Sequence, residues 1–142
     1  MIGKLKKGSF SIESKKQVIG LKYYALGEIS DNEYDLLVKG GAAGLSTFMS
    51  YFILTAIASK DKKLAVRIMK DYYGKMLALG ATTFWEDFDV SWAENAGRID
   101  VFPVKGKVDI HGDFGAFCYK GYRHSLCHGW SSGVIKFIEE NC

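Results

Sequence analysis

Residues 45–77 read LSTFMSYFILTAIASKDKKLAVRIMKDYYGKML, and the spacing of their apolar side chains decides the fold class. Leu45, Phe48, Met49, Phe52, Ile53, Ala56 and Ile57 recur at i, i+3 and i+4, the period of one helix face. Asp61 then stands where an N-cap belongs, because a short acceptor side chain satisfies the free N–H groups of a first turn. Beyond it Leu64, Ile68, Met69, Tyr72, Tyr73 and Met76 form a second stripe. The short connection between them allows only a tight reversal, so the pair is predicted as an antiparallel helical hairpin.

Upstream, a helix is expected over 13–26, with Val18, Leu21 and Ala25 on one face and Ile19, Tyr23 and Leu26 beside it. Gly27 follows as a residue able to take the left-handed backbone of a helix end. Ser30 with Glu33 reads as a capping box opening a short helix through Tyr34, Leu37 and Val38, closed by Gly40 and Gly41. Downstream, the helical period fails at Leu79. Residues 78–124 read as one long loop rich in glycine and aromatic side chains, with an extended stretch at 81–84 and small strands at 101–104 and 108–110. Loops of this length either stay disordered or build sites, and the Trp, Phe and Tyr content argues for a site. Residues 125–141 return to a helical pattern, with Leu126, Trp130, Val134, Phe137 and Ile138 on one side and Ser125, His128 and Ser132 on another. Gly129 and Gly133 inside it each cost about 1 kcal/mol relative to Ala, so close packing or ligand approach is expected there. The fold class expected is all-α: about five helices in antiparallel hairpins, residues 1–142 as a single domain, with the long loop as the functional suspect.

Composition narrows the function classes. The 142 residues are 48% hydrophobic and 25% charged, the balance of a folded globular chain rather than a disordered one. The net charge of +3 comes almost wholly from lysine, without the arginine-rich basic face of nucleic-acid binders, so no nucleic-acid partner is expected. The longest apolar run, 45–58, is broken by Ser46, Thr47, Ser50 and Thr55 and is shorter than a bilayer span, so no membrane partner is expected. The basic start, with Lys4, Lys6 and Lys7, is followed by no apolar signal core. Cys118, Cys127 and Cys142 are too few and too odd in number for a disulfide framework, and they fit a reducing, cytoplasmic setting.

Two stretches carry candidate chemistry. Between 86 and 100, Glu86, Asp87, Asp89, Glu94 and Asp100 face Arg98 alone. Crowded carboxylates beside a water-excluding aromatic wall raise one another's pKa, which prepares one as a general acid or base. Trp85 supplies a flat apolar surface of the kind sugar rings pack on; the plainer reading is a solvated acidic loop with buried Trp anchors. In 124–128, His124 and His128 share a helix face at i, i+4, but Ser125 stands where a metalloprotease would carry its catalytic Glu. A structural zinc wants four better-spaced ligands. No metal or other cofactor is therefore expected, and Cys127 reads as a core residue rather than a nucleophile.

The segment 75–86, KMLALGATTFWE, resembles the stretch ending GATTxWE in the α-L-rhamnosidases of glycoside hydrolase family 78. Residues 125–131, SLCHGWS, resemble the S-x-C-H-x-W-S stretch that opens the last barrel helix of that family. The order of the upstream helices is also similar, so the likeness runs from about Ser14 to Asn141. It implies a partial (α/α)6 toroid, a ring of helical hairpins with its site at one end. It also implies hydrolysis of terminal α-L-rhamnosyl bonds with inversion, by one carboxyl group that protonates the leaving oxygen and one that activates water. On this likeness Glu86 is the general base and His128 a sugar-contacting residue. Trp85 is a wall or support for the base, and Trp92 and Trp130 are further substrate-binding candidates. The expected partner is a carbohydrate, a rhamnosylated glycan or glycoside. Nothing in residues 1–60 reads like the family's acid-bearing motif, and about five helices do not close a ring of twelve. The chain is accordingly expected to be weakly active or inactive alone, and to self-associate or bind a partner fragment through exposed barrel faces. The alternative is a non-catalytic saccharide-binding or scaffold module derived from such an enzyme.

Overall fold

In a computed structural model, which describes residues 12–113 and 125–142, one helix is wrapped by the others. That central helix, α3 (Ser50–Ala58), follows α1 (Ile12–Leu26) and α2 (Asp31–Val38). It precedes α4 (Lys62–Ala78), the single helical turn α5 (Ile110–Asp113) and α6 (Gly133–Asn141). α3 can be central because it is apolar nearly all round: Ile53, Leu54, Ala56 and Ile57 are fully buried. It packs against α1, α2, α4 and α6. The fold is all-α, as the periodicity predicts, and among the described residues there is no strand. The expected strands at 101–104 and 108–110 are replaced by a single bridge between Ala96 and Val108. Residues 101–107 lie exposed, and Pro103 has no N–H to give to a ladder.

Several local expectations hold. Gly27 has φ +70° and its N–H bonds to the Tyr23 carbonyl at 2.7 Å. Ser30 and Glu33 form the capping box of α2. The Asp61 carboxylate caps α4 by accepting from the Leu64 N–H at 2.9 Å.

Two helices differ from their expected form. α1 turns inward not the Val18–Leu21–Ala25 face but the one carrying Lys16, Ile19 and Gly20, while Val18, Leu21 and Leu26 stay exposed. Gly20 is the reason: a Cβ there would lie 3.0 Å from the Ile53 backbone nitrogen, so only glycine lets the two helix backbones come this close. Lys16, fully buried, donates from Nζ to the carbonyls of Gly41 at 3.0 Å and Ala43 at 2.7 Å, tying α1 to the turn after α2. The last helix begins at Gly133 rather than at 125; residues 129–132 form a 3-10 turn, and 125–128 are not helical. Their backbone is drawn away to pair with residues 84–86. Gly133 fits the close-packing reading, since a Cβ there would sit 3.0 Å from Tyr51 Cβ, whereas Gly129 faces open space.

Candidate functional site

The two motif segments, far apart in sequence, lie side by side. The Glu86 N–H donates to the Ser125 carbonyl at 2.8 Å, and the His128 N–H to the Phe84 carbonyl at 2.7 Å, so 84–86 and 125–128 run antiparallel. The Thr83 hydroxyl adds a third link, to the Leu126 carbonyl. Across this pairing the Ser125 N–H donates to Glu86 Oε2 at 2.8 Å, so one backbone segment orients the other's carboxylate.

The Glu86 carbonyl is gripped as firmly as its carboxylate. It accepts from Thr47 Oγ1 at 2.7 Å, from the indole Nε1 of Trp130 at 3.0 Å and from Ser131 Oγ at 3.5 Å. Thr47 is buried, and its own carbonyl accepts from Ser50 Oγ at 3.0 Å. Ser50 Oγ in turn meets the Tyr73 hydroxyl at 2.7 Å. Burial pushes the Tyr73 phenol up to about 12, so Tyr73 keeps its proton and its bond with Ser50 across the ordinary pH range. Helical periodicity predicts none of this. It reads Leu45 to Met49 as part of α3, whereas the helix starts at Ser50 and leaves Thr47 in a turn facing Glu86. The available signal was the Ser46-Thr47 pair, whose hydroxyls compete with helix formation for backbone partners.

The sequence candidates fall into three places. Glu86, His128 and Trp130 come together: the His128 and Trp130 rings are 4.5 Å apart, and Trp130, 54% exposed, also leans on the exposed ring of Phe48 at 5.7 Å. Trp85 lies beneath them, fully buried, its ring 5.6 Å from Phe88. From there it supports the segment, and the flat ring that the sequence offers as a surface for sugar packing is enclosed in the core. Trp92 stands apart, in a 3-10 turn (Val90–Ala93) capped by Asp89, where it lines a separate cleft.

The acidic crowding expected over 86–100 is largely dispersed. Asp100 forms a two-pronged pair with Arg98, at 2.9 and 2.7 Å. Asp89 Oδ1 accepts from the Ser91 N–H and hydroxyl. Glu94 is exposed. Asp87 is held above its ordinary value, chiefly by burial; backbone N–H groups of Phe88 and Thr47 pull it back, and the charges of Asp89 and Glu86 add slightly to the rise.

The histidine-pair reading loses its helix, because 125–128 are not helical, and His124 and Cys118 lie outside the described residues. Cys127 is exposed rather than in the core, since its segment is stretched across 84–86 instead of coiled. Among the described residues no group of His, Cys, Asp and Glu side chains could hold a metal, and no helix is long and apolar enough to cross a membrane.

Two cavities flank the site. An apolar groove of about 440 Å³ runs between α4 and α6, with Tyr73, Leu77, Phe84, Ile135 and Ile138 in its walls. A more polar cleft of about 350 Å³ is bounded by α1, the turn before α3 and residues 87–92. Compared with known proteins, the chain matches no family model, no curated protein and no solved structure.

Proposed function

We propose that this chain is the base-bearing segment of an α-L-rhamnosidase-like glycoside hydrolase, its hairpins forming part of an (α/α)6 toroid. One observation carries the reading. The segment ending in Glu86 and the segment holding His128 and Trp130 are paired through their backbones, and a Ser125 N–H aims the Glu86 carboxylate. A carboxylate fixed by a backbone donor beside two aromatic rings suits a base that must take a proton from one water in one direction. In the inverting reaction Glu86 removes that proton as the water's oxygen bonds to the anomeric carbon. A carboxylic acid on the opposite face gives its proton to the departing oxygen as the glycosidic bond breaks. No acid motif is read in residues 1–60, so this reading assigns the proton donor to residues outside the chain.

The test is hydrolysis of a chromogenic aryl α-L-rhamnoside by the chain and by its Glu86→Gln variant. The expected result is weak turnover that the substitution abolishes; turnover equal in both would reject Glu86 as the base. A second reading, saccharide binding without hydrolysis, draws on the exposed indole of Trp130 beside Phe48, a surface for sugar packing whatever the chemistry. It predicts binding that survives Glu86→Gln and no turnover in either protein.

A further inference from the structure

The more polar cleft lies on the Asp87 side of the 86–89 segment and is not used by the base. Its walls come from three parts of the chain: Gln17 on α1, Ser46 in the turn before α3, and Asp87, Asp89, Ser91 and Trp92 from the long loop. About 350 Å³ is enough for one sugar ring. The chemistry lining it is that of a site for a neutral, hydroxyl-rich ligand. The two carboxylates accept O–H donors, the Gln17 amide both donates and accepts, and the Trp92 ring supplies an apolar wall.

The walls are held in place. Trp92 packs edge-on against the buried ring of Phe88 at 6.2 Å. The Phe88 carbonyl accepts from the Tyr72 hydroxyl of α4, which anchors the loop to the core. Asp89 caps the 3-10 turn that carries Trp92 through its Oδ1 bonds to Ser91, at 2.8 Å to the N–H and 2.6 Å to the hydroxyl. Asp87 is steadied by an Oδ1 bond from the Phe88 N–H at 2.8 Å.

We infer that this cleft is a second saccharide subsite, in which Asp87, Asp89 and Gln17 bind the hydroxyls of a sugar ring packed on Trp92. The choice of a sugar among polyols rests on the glycosidase reading above; the site itself rests on the cleft. Glu86 is not among the residues that line the cleft, so the subsite does not share the carboxylate of the base. It would hold a sugar of the substrate other than the one being cleaved.

The experiment titrates methyl α-L-rhamnoside into isotope-labelled chain and follows the three indole N–H signals, assigned through Trp→Phe variants. The expected result is a saturable shift of the Trp92 indole. Gln17→Leu and Asp87→Asn should each weaken it roughly ten-fold or more, while Glu86→Gln leaves it intact. The two variants come from different elements, so misfolding of one leaves the other as the test. A shift confined to the Trp130 indole, no indole shift, or an equal shift with glycerol would each overturn the subsite. Aryl rhamnoside turnover without a Trp92 shift rejects the subsite and leaves the glycosidase reading standing. A Trp92 shift with turnover that survives Glu86→Gln rejects the base assignment and leaves the subsite standing.

Discussion

The Thr47 hydroxyl donates to the Glu86 carbonyl at 2.7 Å, while the Thr47 carbonyl accepts from Ser50 Oγ, which meets the Tyr73 hydroxyl of α4, so the residue links the motif segment to α3 and α4. Thr47→Val removes that donor but leaves the carbonyl with Trp130 Nε1 and Ser131 Oγ. No buried acceptor is orphaned, and the expected loss is about 1 kcal/mol, the net value of one hydrogen bond, read from urea unfolding. Lys16 offers a test by pH. Burial lowers its amine from 10.5 to about 8 in the folded chain. Between those values the unfolded chain binds more protons than the folded one, so stability rises with pH across that window. The slope is at most about 1.4 kcal/mol per pH unit for one proton, and Lys16→Met should flatten it in unfolding curves taken from pH 8 upward. Neither residue stood out in the sequence. Lys16 follows another lysine near the start of α1 and carries no sequence mark of burial; only the Gly41 and Ala43 carbonyls facing it reveal its role.

At the level of elements, the contact between α1 and α3 depends on a missing side chain. Gly20→Ala improves intrinsic helix propensity by about 1 kcal/mol. The new Cβ, however, would meet the backbone of Phe52 and Ile53 at 3.0–3.2 Å, and backbone cannot turn aside. The expected net effect is destabilisation of about 1–3 kcal/mol as α1 is pushed outward. Gly74→Ala is the control. It lies within α4 with nothing within 4 Å of its would-be Cβ, so propensity acts alone and stability should rise by about 1 kcal/mol. Thermal unfolding of the two variants checks both signs. Helices whose caps and stripes are local, α2 and α4, were legible in the sequence to within a residue or so. The last helix was not, because 125–128 have helical spacing but give their backbone groups to 84–86, a partner that no local window contains.

For the whole molecule, apolar surface remains where no element covers it. Val18, Leu21 and Leu26 on α1, and Leu77, Ile135 and Ile138 beside the 440 Å³ groove, are between 41% and 66% exposed. Contiguous exposed apolar surface favours association. The chain is therefore expected to bind an apolar dye and to sediment faster as its concentration rises, and Leu77→Lys should weaken both effects. A concentration-independent monomer that binds no dye would contradict this. Apolar period, caps and glycine stops act over a few neighbouring residues, so the sequence by itself determined the all-α class, the hairpin of α3 and α4 and the candidate carboxylate. Tertiary structure alone decided which α1 face is buried, that Trp85 is enclosed in the core, and that burial raises the Asp87 carboxyl while Arg98 lowers that of Asp100. It also decided that Thr47 and Ser125 hold Glu86. Those outcomes turn on close backbone approach, burial and hydrogen bonds between segments about forty residues apart, and no local pattern encodes which distant donor a carbonyl or carboxylate will meet.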